Sequence, residues 1–213
     1  MKSLSAQAPR VTVTIVILAI VTAVSPMLQR ALVLDRDAVM HGQLWRVATG
    51  NLVHFSSSHL LYDLFVVAIA GVFLERRHWP VAAIVAGSGI AVGVAVLRFE
   101  PTVTIYGGLS GIACALVVIV ALESARASGL TRATGVAFLM VLATKLWWEW
   151  TSGSLVFVSA AGIRPVPIAH LAGSGAGVVA SLRRHSVGRL IAAVRGSATA
   201  LSPAPARGPG SRS

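Results

Sequence analysis

The chain has one cysteine, Cys114, inside an apolar run, so an intrachain disulfide is excluded. Charge is scarce as well. Only 12% of residues are charged, 7 acidic against 18 basic, while 55% are hydrophobic and the mean hydropathy is +0.79. Those proportions exclude an ordinary soluble domain and imply a polytopic membrane protein. No His-Glu-x-x-His or similar metal-ligand spacing occurs, so no metal or other cofactor is expected. There is no internal repeat and no pair of broken apolar segments, which argues against a small-solute transporter. In a soluble protein the net charge of +11 would suggest nucleic acid. Here most basic residues lie in connections and in the tail, where retention on the cytoplasmic side explains them, and no nucleic-acid partner is expected.

Six apolar runs are long enough, or nearly so, to cross a bilayer: roughly 11–28, 59–75, 80–97, 106–123, 133–148 and 165–182. The expected fold is therefore all-α, a bundle of six transmembrane helices over residues 11–185. The first run follows Lys2 and Arg10 and lacks a convincing small-residue cleavage site, so it reads as a retained helix. Basic residues alternate between connections: Lys2 and Arg10, then Arg76 and Arg77, then Arg126 and Arg132, then Arg183 and Arg184. Positive-inside logic puts residues 1–10 and the tail in the cytoplasm of a cell membrane. The long connection 29–58 reads as a folded outer loop with amphipathic pieces, because Leu34, Val39, Met40, Leu44 and Trp45 call for burial. Residues 186–213 read as a basic, largely disordered tail near anionic lipid.

A few polar residues stand out at membrane depth, where they are expensive and functional by default. Ser110 sits between Gly108 and Gly111 at the start of the fourth run. Glycines on either side leave the backbone uncovered, so Ser110 and nearby amides can meet a substrate carbonyl. Small-residue helix packing is the plainer explanation for Ser110 taken alone. His170 is followed by Gly173 and Gly177, at i+3 and i+7, which lets another helix approach to near backbone contact. If that helix carries Ser110, the pair is the minimum for nucleophilic catalysis, with the base also protonating the leaving amine. His59 and Asp63 share one face at i and i+4. His59 can donate to an oxyanion, whereas an ionised Asp63 cannot and serves instead to orient His59. A buried pair that only bonds itself is the bland alternative. His54 reads as a structural hydrogen-bonding residue, and Arg46 as a donor to loop carbonyls or a carboxylate. Lys145 and Glu149, among Trp147, Trp148 and Trp150, read as an interfacial ion pair in an aromatic belt. A role in gating, or in binding a substrate carboxylate, is the sharper reading of that pair.

Taken together, the pattern resembles the rhomboid intramembrane serine protease family. Three pieces carry the resemblance: Trp45-Arg46 with His54-Phe55-Ser56 and His59-Leu60-Leu61-Tyr62-Asp63; Gly108-Leu109-Ser110-Gly111; and Ala169-His170 with Gly173 and Gly177. The family implies Ser110 as nucleophile and His170 as base. It implies His59 and the Ser110 amide in the oxyanion hole, with Asp63 and Gly108 in support. Asp63 stands where the wider family usually has Asn. The compact core, the run Tyr106 to Gly111 and the Lys145–Glu149 pair look most like the rhombosortase branch. That branch implies substrates with a C-terminal Gly-Gly, a single transmembrane helix and a basic tail. A general rhomboid protease with other single-span substrates, or a non-catalytic member that binds membrane segments, is the alternative.

Overall fold

In a computed structural model, residues 8–154 and 166–200 are described, with side chains as far as residue 187. The chain divides into two units, Met1–Ser181 and Leu182–Ser213, and the candidate site lies in the first.

Helix α1 (Arg10–Val24) ends at Ser25, and α2 (Pro26–Leu32) leaves at an angle of 112°. The single span expected at 11–28 is therefore broken. Pro26 has no N–H to continue α1, and extended Ser25 accepts from the Leu28 N–H to start a new helix. The outer connection then forms β1 (Leu34–Asp35), α3 (Arg36–Met40), α4 (Arg46–Thr49) and a 3-10 turn, Gly50–Leu52. Leu34 and Val39 are buried, but Met40, Leu44 and Trp45 are exposed, against expectation. An amphipathic piece beside apolar spans can turn such residues to lipid, so the burial rule for soluble chains does not govern them. Arg46 donates to the carbonyls of Arg30 and Val33 and to Gln43 Oε1, which ties this loop together.

Helices α5 (Ser57–Glu75) and α6 (Val81–Phe99) follow. Glu75, at the end of α5, accepts from the N–H groups of Val11 and Thr12 and from the Thr12 hydroxyl. The carboxylate thus caps the otherwise unsatisfied start of α1. Arg36 does the reverse at the end of α6, donating to the carbonyls of Val96, Leu97 and Glu100.

A two-residue antiparallel pair joins β1 to β2 (Ile105–Tyr106), with Leu34 opposite Tyr106. The apolar run expected as a helix from 106 therefore begins as strand and glycine turn. Helix α7 starts only at Ser110 and runs to Ala125. It is the central helix, and Gly111 through Leu116 are all buried. Helices α5, α6 and α8 (Gly129–Ser152) pack on it. Helix α9 (Pro167–Ala200) joins them through glycines: a Cβ on Gly173 would overlap the Gly111 carbonyl, and one on Gly177 would lie 2.5 Å from that of Ala115. Helix α9 continues past 186, where the tail is expected to begin, and residues 201–213 lie outside the described ones.

Among the described residues, three helices are long and apolar enough to cross a membrane: α5, α6 and α8. The bent α1–α2 pair makes up to four, and α7 is a shorter apolar helix.

Candidate functional site

Ser110 is the first residue of α7, so its amide belongs to the group of helix-start N–H donors that have no carbonyl within the helix. The close glycine packing of α9 on α7 brings His170 to it, with Nε2 2.9 Å from Ser110 Oγ. Both residues are thus positioned by small-residue contacts and not by loops. A hydroxyl at that distance from an imidazole nitrogen can pass it a proton as it attacks a carbonyl.

On its other side, His170 Nδ1 lies 2.7 Å from Glu149 Oε2. Glu149 is fully buried, and its Oε1 accepts from Lys145 Nζ at 2.7 Å. Sequence reasoning placed this pair at the interface among the tryptophans. Trp147, Trp148 and Trp150 are indeed exposed, but Glu149 points the opposite way. The signal available in the sequence was the pattern itself: one acidic residue inside an aromatic run, with a lysine one turn earlier on the same face.

His59 and Asp63 lie one turn apart at the start of α5, where Ser56 caps the helix by accepting from the His59 N–H at 3.2 Å. Asp63 Oδ2 is 3.3 Å from His59 Nε2 and 3.1 Å from His54 Nε2. His54 is buried, and its Nε2 is also 3.3 Å from the Leu109 amide. Those two contacts exclude each other, since a protonated nitrogen donates to Asp63 and a bare one accepts from Leu109. His54 therefore stands between Asp63 on α5 and the turn that precedes Ser110, and bonds one or the other according to its tautomer. His59 Nδ1 is buried without a hydrogen-bond partner among the described residues. Gly108 has φ of 137°, and a Cβ there would sit 2.8 Å from the His59 ring. Its role in the fold is to let the backbone pass under His59.

A cavity of about 300 Å³ lies between α5 and α8, with α7 as its floor; His54 and Gly108 are not among its lining residues. Ser110, His170, His59, Asp63, Lys145 and Glu149 supply the polar end, and Val66, Val117, Phe138 and Val141 the apolar end. The described residues contain no cluster of His, Cys, Asp and Glu arranged to hold a metal ion.

No match to a curated protein accompanies the chain. The Rhomboid domain matches residues 41–186, which takes in the second half of the outer connection from α4 onward, α5 to α8 and the site-bearing part of α9. Members of that family are generally intramembrane serine proteases. With well over half its length matched, this chain belongs to the rhomboid family.

Proposed function

We propose that the protein is an intramembrane serine protease acting through Ser110 and His170, with six spans formed by α1 and α5 to α9. The observation that carries the reading is the 2.9 Å contact between Ser110 Oγ and His170 Nε2 at the floor of a cavity that opens between two apolar helices. Ser110 attacks the scissile carbonyl while its proton passes to His170 Nε2. The oxyanion meets the Ser110 amide at the start of α7, together with His59, whose ring lines the same cavity. Collapse transfers the proton to the leaving amine and leaves an acyl-enzyme. Water, or another amine in a sortase-like transfer, then resolves it. Irregular substrate backbone is tolerable at that depth because the cavity is walled by protein.

The substrate in this reading is a membrane protein with one transmembrane helix in the same bilayer, cut near the end of that helix. The rhombosortase-like resemblance narrows it to proteins ending in Gly-Gly, a helix and a basic tail. Basic connections put both termini on the cytoplasmic side of a bacterial-type inner membrane, and the cavity then faces outward.

The test is labelling by a fluorophosphonate serine probe. Ser110→Ala should abolish it and His170→Ala nearly so, with both variants still inserted in the membrane. Labelling of Ser110→Ala at the wild-type level would remove Ser110 as the nucleophile. A wild-type protein that captures membrane segments but neither labels nor cuts would be a non-catalytic member.

A further inference from the structure

We propose that Glu149 is a positioning residue that completes a Ser110–His170–Glu149 triad, with Lys145 as its countercharge. The proposal rests on Ser110 and His170 acting as described above.

Helix α8 is mostly exposed, and Gly135 and Glu149 are its buried residues. Burying a carboxylate is costly unless it is paired and bonded. Here each carboxylate oxygen has a partner at 2.7 Å, Lys145 Nζ on Oε1 and His170 Nδ1 on Oε2. An ionised carboxylate can only accept hydrogen bonds, so Nδ1 is the ring nitrogen that carries the hydrogen. That choice leaves the lone pair on Nε2, facing Ser110 Oγ. The Lys145 ammonium also lies 3.3 Å from Nδ1. It has no acceptor to offer, so that approach is a neighbour contact and the ammonium's bond is to Glu149.

The chemistry follows from the tautomer. When His170 takes the Ser110 proton it becomes an imidazolium between Ser110 and an anion. Glu149 stabilises that cation and keeps its own ionised form, and the proton later leaves from Nε2 to the departing amine. Glu149 bonds His170 Nδ1 and Lys145 Nζ and acts on Ser110 only through His170. Its action is to hold one tautomer and one ring orientation, and it does so from α8, one wall of the cavity.

The experiment compares full-length wild type, Glu149→Gln and Glu149→Asp in detergent micelles. Probe labelling, cleavage of a single-span substrate and the downfield proton spectrum of the histidines are measured. Gln offers an amide that can donate to Nδ1 and favour the wrong tautomer. In soluble serine proteases that kind of change costs about 10⁴-fold. Here a fall of about 100-fold or more in labelling rate and in kcat is expected, with KM and thermal midpoint close to wild type. Glu149→Asp should recover a measurable part of the rate. A strongly deshielded Nδ1 proton should be present in wild type and in Ser110→Ala, and absent from Glu149→Gln. If Glu149→Gln does not fold, Lys145→Met/Glu149→Gln removes the pair together and is read in the same way. Labelling and cleavage within about threefold of wild type, or a deshielded proton unchanged in Glu149→Gln, would overturn the proposal. A wild type that neither labels nor cuts would defeat the protease reading instead, and the proton signal would still decide the Glu149 contact.

Discussion

Gly108 shows how narrow the tolerances are where α5 meets the turn before Ser110. Its φ of 137° is costly for any residue with a Cβ, and the added atom would press on the His59 ring. Gly108→Ala should therefore cost about 1–3 kcal/mol from backbone strain. Displacement of His59 should also lower probe labelling at least tenfold, and both effects are measurable on purified protein by thermal unfolding and labelling rate. Asp63 gives a graded test beside it. Its Oδ2 faces two imidazoles, and an Asn carbonyl can still accept from one of them. Asp63→Asn should keep substantial activity, whereas Asp63→Leu leaves His54 and His59 without that acceptor and should cost much more. Equal labelling of the two variants would take Asp63 out of the site. At this scale the sequence was readable where a residue type is expensive in lipid. Ser110, His59, Asp63 and His170 all stood out that way, and the structure brings them into one cavity. The partner of His170 was not readable. Glu149 precedes it by 21 residues on a different helix, and the Lys145 spacing within the aromatic run marks a face of α8 but not the helix which that face meets.

Between elements, the decisive feature is the seam of α7 and α9. Gly173 and Gly177 meet the carbonyls of Gly111 and Ala115, while Gly175 on the same helix has open space around it. The three glycines look alike in the sequence but should respond oppositely to one added methyl. Gly173→Ala forces the helices apart, with an overpacking cost of about 1–3 kcal/mol, and should carry His170 away from Ser110. Gly177→Ala should be destabilising in the same direction. Gly175→Ala should be neutral or stabilising by up to about 1 kcal/mol, because it only removes backbone freedom in a helix. Unfolding in micelles, read alongside probe labelling, separates the three. A destabilised Gly175→Ala would mean that the face assignment of α9 is wrong. The i+3 and i+7 spacing made this seam legible from His170 onward. Element ends were less so. The periodicity of an apolar run does not register the break at Ser25–Pro26 or the strand pairing that holds Tyr106 out of α7, since both depend on partners far along the chain.

For the whole molecule the question is which segment fits between α5 and α8. The cavity is apolar toward the flanks of those helices and polar only around Ser110. In the proposed reading a substrate helix rests against the apolar part, and its scissile bond must leave helical form to reach the hydroxyl. Gly-Gly lowers that cost, because each glycine disfavours helix by about 1 kcal/mol relative to alanine. A basic cytoplasmic tail fixes the direction in which the substrate helix is inserted, with its N-terminal domain outside. A tagged substrate with Gly-Gly just outside a single C-terminal helix, followed by Arg or Lys, should therefore lose its domain when co-expressed with wild type and keep it with Ser110→Ala. Replacing Gly-Gly by Leu-Leu should block release, because the helix then continues through the scissile bond. Release of the Leu-Leu substrate at the same rate would remove the rhombosortase-like specificity and leave a protease of broader single-span substrates. Moving the basic tail to the other end should also abolish release, since the Gly-Gly site would then lie across the bilayer from Ser110.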